Sequence, residues 1–278
     1  MTLASPRTLL AAAGLGLAAL APTACFDQVV TNAEMRAAVD ELVADGQVLA
    51  LENEVIELTT SFTIADGVEA VADEIRSWVE SQLPCSTVTV EGAHLELDFG
   101  ALDDSCTYNG HTFAGVIALD LTVSTGQVVV DHTFTELTNG TVTLNGAKQV
   151  TWTRESRSIT TDYNWATSER TVDATSDRVQ TLLDPAAGVP GGIEINGKRH
   201  WTAESGAWDL QIDGVEIRWL DPIPQAGSYT LTIPSGKDLG LTFTRVDEDT
   251  IEARITGGRR DRIFLINSAG GVSDEGDA

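Results

Sequence analysis

Four histidines, His94, His111, His132 and His200, are the side chains best suited to metal binding or general-base chemistry. None stands in an HxH or HExxH arrangement, so no zinc motif is present. Alternation along the flanking residues places His94 on the polar face of a hairpin, opposite Thr89, and His132 on an apolar face between Val130 and Phe134. The two rings are expected to point opposite ways, with His132 in the core. Carboxylates cluster at Asp103-Asp104 and at Asp247-Glu248-Asp249, yet neither run alternates oxygen ligands as a calcium loop does. Asp120 and Asp131 are expected to face each other across a hairpin. On a solvated sheet face their pKa values would not separate as acid/base catalysis requires. GxSxG, SxxK, Walker and dinucleotide motifs are all missing, and no cofactor is called for. A hydrolase built from dispersed carboxylates is therefore the last-ranked reading.

Tryptophan is the other residue with recognition chemistry. Trp152, Trp165, Trp201, Trp208 and Trp219 all fall in the second half of the chain. Exposed in a row, Trp152, Trp165 and Trp201 would contact a sugar or peptide. The aliphatic neighbours of Trp208 and Trp219 favour core packing instead.

The chain has 278 residues, 17 basic against 42 acidic, for a net charge of −25. A balance this acidic would repel a phosphate backbone over most of the surface, so nucleic acid is excluded as a partner. With 42% hydrophobic residues, 25 Gly and 8 Pro, the composition is that of a globular protein, neither disordered nor collagen-like.

Residues 1–24 carry a single charge, Arg7, and an apolar stretch from Leu9 to Ala21. That stretch is too short to span a ~30 Å hydrocarbon core and has the form of an export signal. It ends at Pro22-Thr23-Ala24-Cys25. Small residues directly before a cysteine resemble the lipobox of bacterial lipoproteins, although Pro22 stands where that family usually has an aliphatic residue. The resemblance covers residues 1–25 alone. It implies cleavage before Cys25, acylation of its thiol and a membrane tether, with 1–24 as the signal peptide. Phe26 rather than Asp after the cysteine implies, under the enteric sorting rule, the outer membrane rather than the inner. Ordinary signal-peptidase cleavage after Ala21 or Ala24 is the alternative. Three cysteines leave one odd thiol in an exported protein. Lipidation of Cys25 removes the oddity, and Cys85 and Cys106 then form an even pair. Bridged, they close a loop of about 22 residues; two buried free thiols are the alternative.

From Thr31 the residues read as helix. Thr31-x-x-Glu34 is a capping box, and Met35, Ala38, Val39 and Leu42 recur at helical spacing before Gly46. A second helix is expected after Asp66 as cap, with Val68, Val71, Ala72, Ile75 and Val79 on one face and Pro84 beyond its end. The stretch between, from Leu51 to Phe62, fits helix or strand and is read as a third helix. From Ser86 the period becomes 2. Turns are expected at Glu91-Gly92, Asn109-Gly110, Thr125-Gly126, Asn139-Gly140, Asn145-Gly146, Asn196-Gly197, Ser205-Gly206, Asp213-Gly214 and Ser235-Gly236. Around Thr125-Gly126, Leu119 should oppose His132 and Ile117 oppose Phe134. Around Asp213-Gly214, Trp208 should oppose Trp219 and Leu210 oppose Ile217. Bulged turns at the two Asn-Gly pairs would set Val142 against Val150 and Ile193 against Trp201.

The expectation is thus a mainly β protein: an antiparallel meander of about ten to twelve strands, sandwich or barrel-like, preceded by two or three helices. Residues 25–84 would be the lipid-anchored helical segment, 85–267 the β domain, and 268–278 an acidic disordered tail. Outward polar residues such as Thr112, Asp120 and Arg218 exclude a lipid-facing barrel. The function expected is a non-catalytic binding or structural module of the cell envelope, whose partner is an envelope protein or glycan. Carriage of a lipid or other apolar ligand in a β-cavity is the alternative.

Overall fold

In the computed structural model, Thr31 starts the first helix. Its hydroxyl accepts from the Glu34 amide at 3.2 Å, and the Glu34 carboxylate accepts from the Thr31 amide at 2.8 Å. Residues 29–60, 62, 67–104, 106–108, 111–188, 191–218, 221–268 and 271–277 are described. Cys25, Asp66, Trp219 and the Asn109-Gly110 turn lie outside them.

Helix α1 runs unbroken over Asn32–Thr59, and α2 over Val68–Gln82. Gly46 does not end the first helix, so two expected helices are one. An interior glycine costs only about 1 kcal/mol, and burial of the flanking turns outweighs that. The buried positions Ala38, Glu41, Asp45, Val48, Glu52, Val55 and Thr59 follow alternating steps of three and four. That is one continuous stripe along the helix, and three of its seven members are acids.

The strands are β1 (Thr87–Glu91), β2 (His94–Asp98), β3 (Cys106–Tyr108), β4 (His111–Ser124), β5 (Gln127–Thr138), β6 (Thr143–Trp152), β7 (Ser156–Ala166) and β8 (Thr171–Leu182). They continue as β9 (Ile193–Ala203), β10 (Gly206–Arg218), β11 (Asp221–Thr232), β12 (Asp238–Arg245), β13 (Thr250–Thr256), β14 (Arg262–Asn267) and β15 (Val272–Asp277). All belong to one antiparallel sheet of 15 strands in meander order, with β3 paired to β4 beside the main path. The count exceeds the expected ten to twelve partly because the three-residue β3 and the acidic C-terminus also pair. Residues 272–277, expected as a solvated tail, add to β14, where Asp274 and Asp277 take the Arg262 guanidinium.

The sheet is open, ending at β1 and β15. Helix α2 packs beside β1, and β15 carries charged side chains, two ways of discouraging further strand pairing. A Cys85–Cys106 disulfide, with Cα atoms 5.4 Å apart, ties the end of α2 to β3. Val71, Ala72, Ile75 and Val79 of α2 share one core with α1 and the inner face of the sheet.

Register separates correct turn readings from incorrect ones. Around Thr125-Gly126, Leu119 faces His132, Ile117 faces Phe134 and Asp120 faces Asp131, as expected. By contrast Asn145-Gly146, Asn196-Gly197 and Asp213-Gly214 lie inside β6, β9 and β10. Trp208 therefore faces Trp201, and Leu210 lies between Arg199 and Leu231. Val150 meets Ile159 rather than Val142, and Ile193 meets Ile217 rather than Trp201. These glycines bend strands instead of reversing them. At Gly146 (φ +132°) a Cβ would lie 2.5 Å from the Tyr163 Cα, so the neighbouring strand approaches too closely for any other residue. His94 faces Glu91 rather than Thr89, because the turn occupies Gly92 and Ala93.

Candidate functional site

The inner face of the sheet is apolar toward its two ends and polar in the middle. One row across the strands runs Leu95, Leu119, His132, Lys148, Thr161, Ser176, Arg199, Leu210, Leu231 and Leu239. Helix α1 lays its acids on that polar centre. Glu52 receives the Arg178 guanidinium and the Tyr163 hydroxyl (2.8 Å), and the Lys148 ammonium lies 3.3 Å away. Lys148 also donates to the Glu52 carbonyl at 3.0 Å. Asp45 takes Arg199 at 2.8 Å, and Arg199 donates onward to the Tyr163 hydroxyl at 3.0 Å. Glu41 accepts from the Trp201 indole (3.0 Å) and from Arg170 (2.7 Å), while Glu57 accepts from Arg157 (2.7 Å).

Four of the five cations also lie over a ring: Lys148 over Phe134, Arg157 over Trp152, Arg170 over Trp165 and Arg199 over Tyr163, at 4.8 to 5.6 Å from the centroids. At the helix C-terminus the Thr59 hydroxyl donates to the Val55 carbonyl (2.7 Å), which spends its one proton. His132 must then donate through Nε2 to Thr59 (2.9 Å), fixing the neutral tautomer.

Burial raises the Glu52 pKa, but Arg178, Lys148 and Arg199 together outweigh it and hold the carboxyl at about 2. Burial, and then the Lys148 charge, depresses His132 to about 3. Lys148 is lowered to about 8, burial prevailing over the attraction of Glu52. Asp45 is raised by burial, against the pull of Arg199. With Glu52 and Lys148 fully enclosed, this cluster holds α1 to the sheet.

Among the described residues, one recess lies along the helix and another past its end. The first, about 300 Å³, lies between α1 and β11–β14 and is apolar, lined by Leu42, Val43, Tyr229, Leu241, Phe243 and Ile266 among others. The second, about 460 Å³, lies past the C-terminal end of α1, where Phe62, Trp152, Arg157, Gln180 and Ile193 form its wall.

The sequence-nominated residues distribute as follows. Trp165 and Trp201 are wholly buried, Trp201 stacked on Trp208 with centroids 6.1 Å apart. Trp152 alone of the three nominated tryptophans borders a recess. The facing Asp120 and Asp131 avoid each other by accepting from His94 (2.9 Å) and Gln149 (2.7 Å). Within the Asp247-Asp249 turn, Asp247 accepts from the Asp249 amide. Ile117, Phe134 and Leu210 are packed in the core. Sequence reasoning passed over Glu41, Asp45 and Glu52, although their shared spacing with Ala38, Val48 and Val55 marks them as facing inward.

No protein-family model matches this chain, and neither does any curated protein or solved structure.

Proposed function

We propose that the protein is a lipoprotein of the bacterial envelope that acts by binding. The observation carrying this reading is the ionic clamp on α1, which leaves one preformed recess along a helix that cannot readily shift and another past its C-terminal end. Breaking such enclosed pairs costs several kcal/mol, so recess shape is set before any ligand arrives. The tether is Cys25 at the end of the signal-like segment, and the partner is an envelope glycan or protein. Intact mass of detergent-extracted protein from the native host, alkylated without reduction, tests the tether. A species beginning at Cys25 with acyl mass and no alkylated thiol is the expected result. Full-length protein with alkylated cysteines would overturn the compartment.

A second reading, carriage of an apolar ligand, is favoured by the groove between α1 and β11–β14. Its aliphatic and aromatic lining suits an acyl chain, each buried methylene contributing about 0.8 kcal/mol. A fluorescent fatty acid should be taken up by the full mature chain and released when Leu42→Gln makes the wall polar. Uptake indifferent to that substitution would remove this reading.

A further inference from the structure

The recess past the end of α1 is built differently from the groove. Trp152, Arg157 and Gln180 are register neighbours on β6, β7 and β8, and α1 ends at Thr59, just past the Glu57 that meets Arg157. The Gln180 side chain is 2% exposed. Its Oε1 accepts from Arg157 Nε, and since a guanidinium only donates, the amide cannot be flipped. The Gln180 amino group is therefore fixed on the other side, where it has no partner. The Trp152 indole N–H is likewise buried without an acceptor. Two unmet donors in one wall are costly, about 1 to 3 kcal/mol each, unless something supplies oxygen atoms. The Arg157 charge is already met by Glu57 at 2.7 Å, so the unmet groups are neutral donors. Phe62, edge-on to Trp152 with centroids 6.1 Å apart, and Ile193 complete an apolar surface beside them.

We propose that this recess is a binding site for a pyranose sugar, the Gln180 amino group and Trp152 indole donating to its oxygens while its C–H face rests on the apolar wall. A sugar presents neutral acceptors on its rim and carbon on its faces, which is the complement of this lining. At about 460 Å³ the space suits a mono- or disaccharide. The assignment rests on the binding reading above and names its ligand class.

The test is a titration of the ¹⁵N-labelled full mature chain with glucose, galactose, mannose and N-acetylglucosamine in turn. The readout is the Trp152 indole and Gln180 side-chain resonances. At least one sugar should shift both. Gln180→Glu keeps an oxygen for Arg157 and removes the donor, and Trp152→Phe keeps a ring and removes the N–H. Each should weaken that sugar about tenfold, while Val246→Gln, at an exposed position outside both recesses, leaves its affinity unchanged. If all four sugars leave both resonances in place, or bind with unchanged affinity to both variants, the assignment is wrong. In that same case a species beginning at Cys25 with acyl mass would leave the lipoprotein reading standing, whereas full-length protein with alkylated cysteines would remove that reading too.

Discussion

The Glu52 carboxylate of α1 lies 3.3 Å from the Lys148 ammonium of β6, and neither side chain reaches solvent. Arg178 and Tyr163 share the same carboxylate, so one acid is the common counter-charge of two cations from different strands. Glu52→Gln should destabilise the protein by about 3 to 5 kcal/mol, because buried cations lose their counter-charge. Urea unfolding measures this. Adding Lys148→Met should recover part of the loss, and a double variant no better than the single one would argue against this coupling.

Acid should weaken the fold in two overlapping steps. His132 has a pKa of about 3 in the folded protein against 6.5 ordinarily, so the unfolded chain binds its proton first. The His132 contribution to stability is full above pH 6.5 and declines as pH falls toward 3. Glu52, at about 2 against 4.5, adds a second loss between those values. Asp45, raised by burial, works in the opposite direction and offsets part of it. The urea midpoint measured from pH 7 to 4 should fall, and His132→Gln should flatten the part above pH 5. A wild-type midpoint level over that range would contradict the assignment.

One substitution should have opposite signs at two glycines. Gly46 is helical with open space where a Cβ would go, so Gly46→Ala should stabilise by about 1 kcal/mol, or roughly 2 to 4 °C in Tm. Gly146 has φ +132° and the Tyr163 backbone 2.5 Å from the new methyl position. Gly146→Ala should lower Tm, with strain of about 1 to 3 kcal/mol. Two shifts of the same sign in calorimetry would show that one of these backbones is misread.

Reduction of Cys85–Cys106 should cost about 3 kcal/mol, the chain entropy of a loop of this length. Denaturant curves with and without a phosphine reductant provide the comparison. An unchanged midpoint after verified reduction would mean that α2 is held by packing alone.

Much of this architecture is legible along the chain. The Thr31–Glu34 capping box, the apolar face of α2, the switch to period 2 after Ser86 and the register at Thr125-Gly126 are local patterns. Each is set by residues within a few positions of one another, where sterics and hydrogen bonding favour one conformation. The pairing of Cys85 with Cys106 follows from counting thiols, and it too is a short closure.

Tertiary structure alone decided whether an Asn-Gly or Asp-Gly pair reverses the chain or bends it. Both outcomes use the same permissive glycine, and Gly146 is a bend only because β7 lies against it. It also decided the inner face. In β8, Ser176, Arg178 and Gln180 are buried while Thr175, Asp177 and Val179 face outward, an alternation that polarity cannot reveal. Arg178 is at home inside because Glu52, 126 positions earlier in the chain, meets it there. A buried charge is tolerated only beside its counter-charge, and that proximity arises from the packing of α1 on the inner face of the sheet. The sequence by itself therefore determined the elements and their periods. Only the folded molecule decided which polar residues would be enclosed, and which polar atoms among them, the Gln180 amino group and the Trp152 indole N–H included, would still lack a partner.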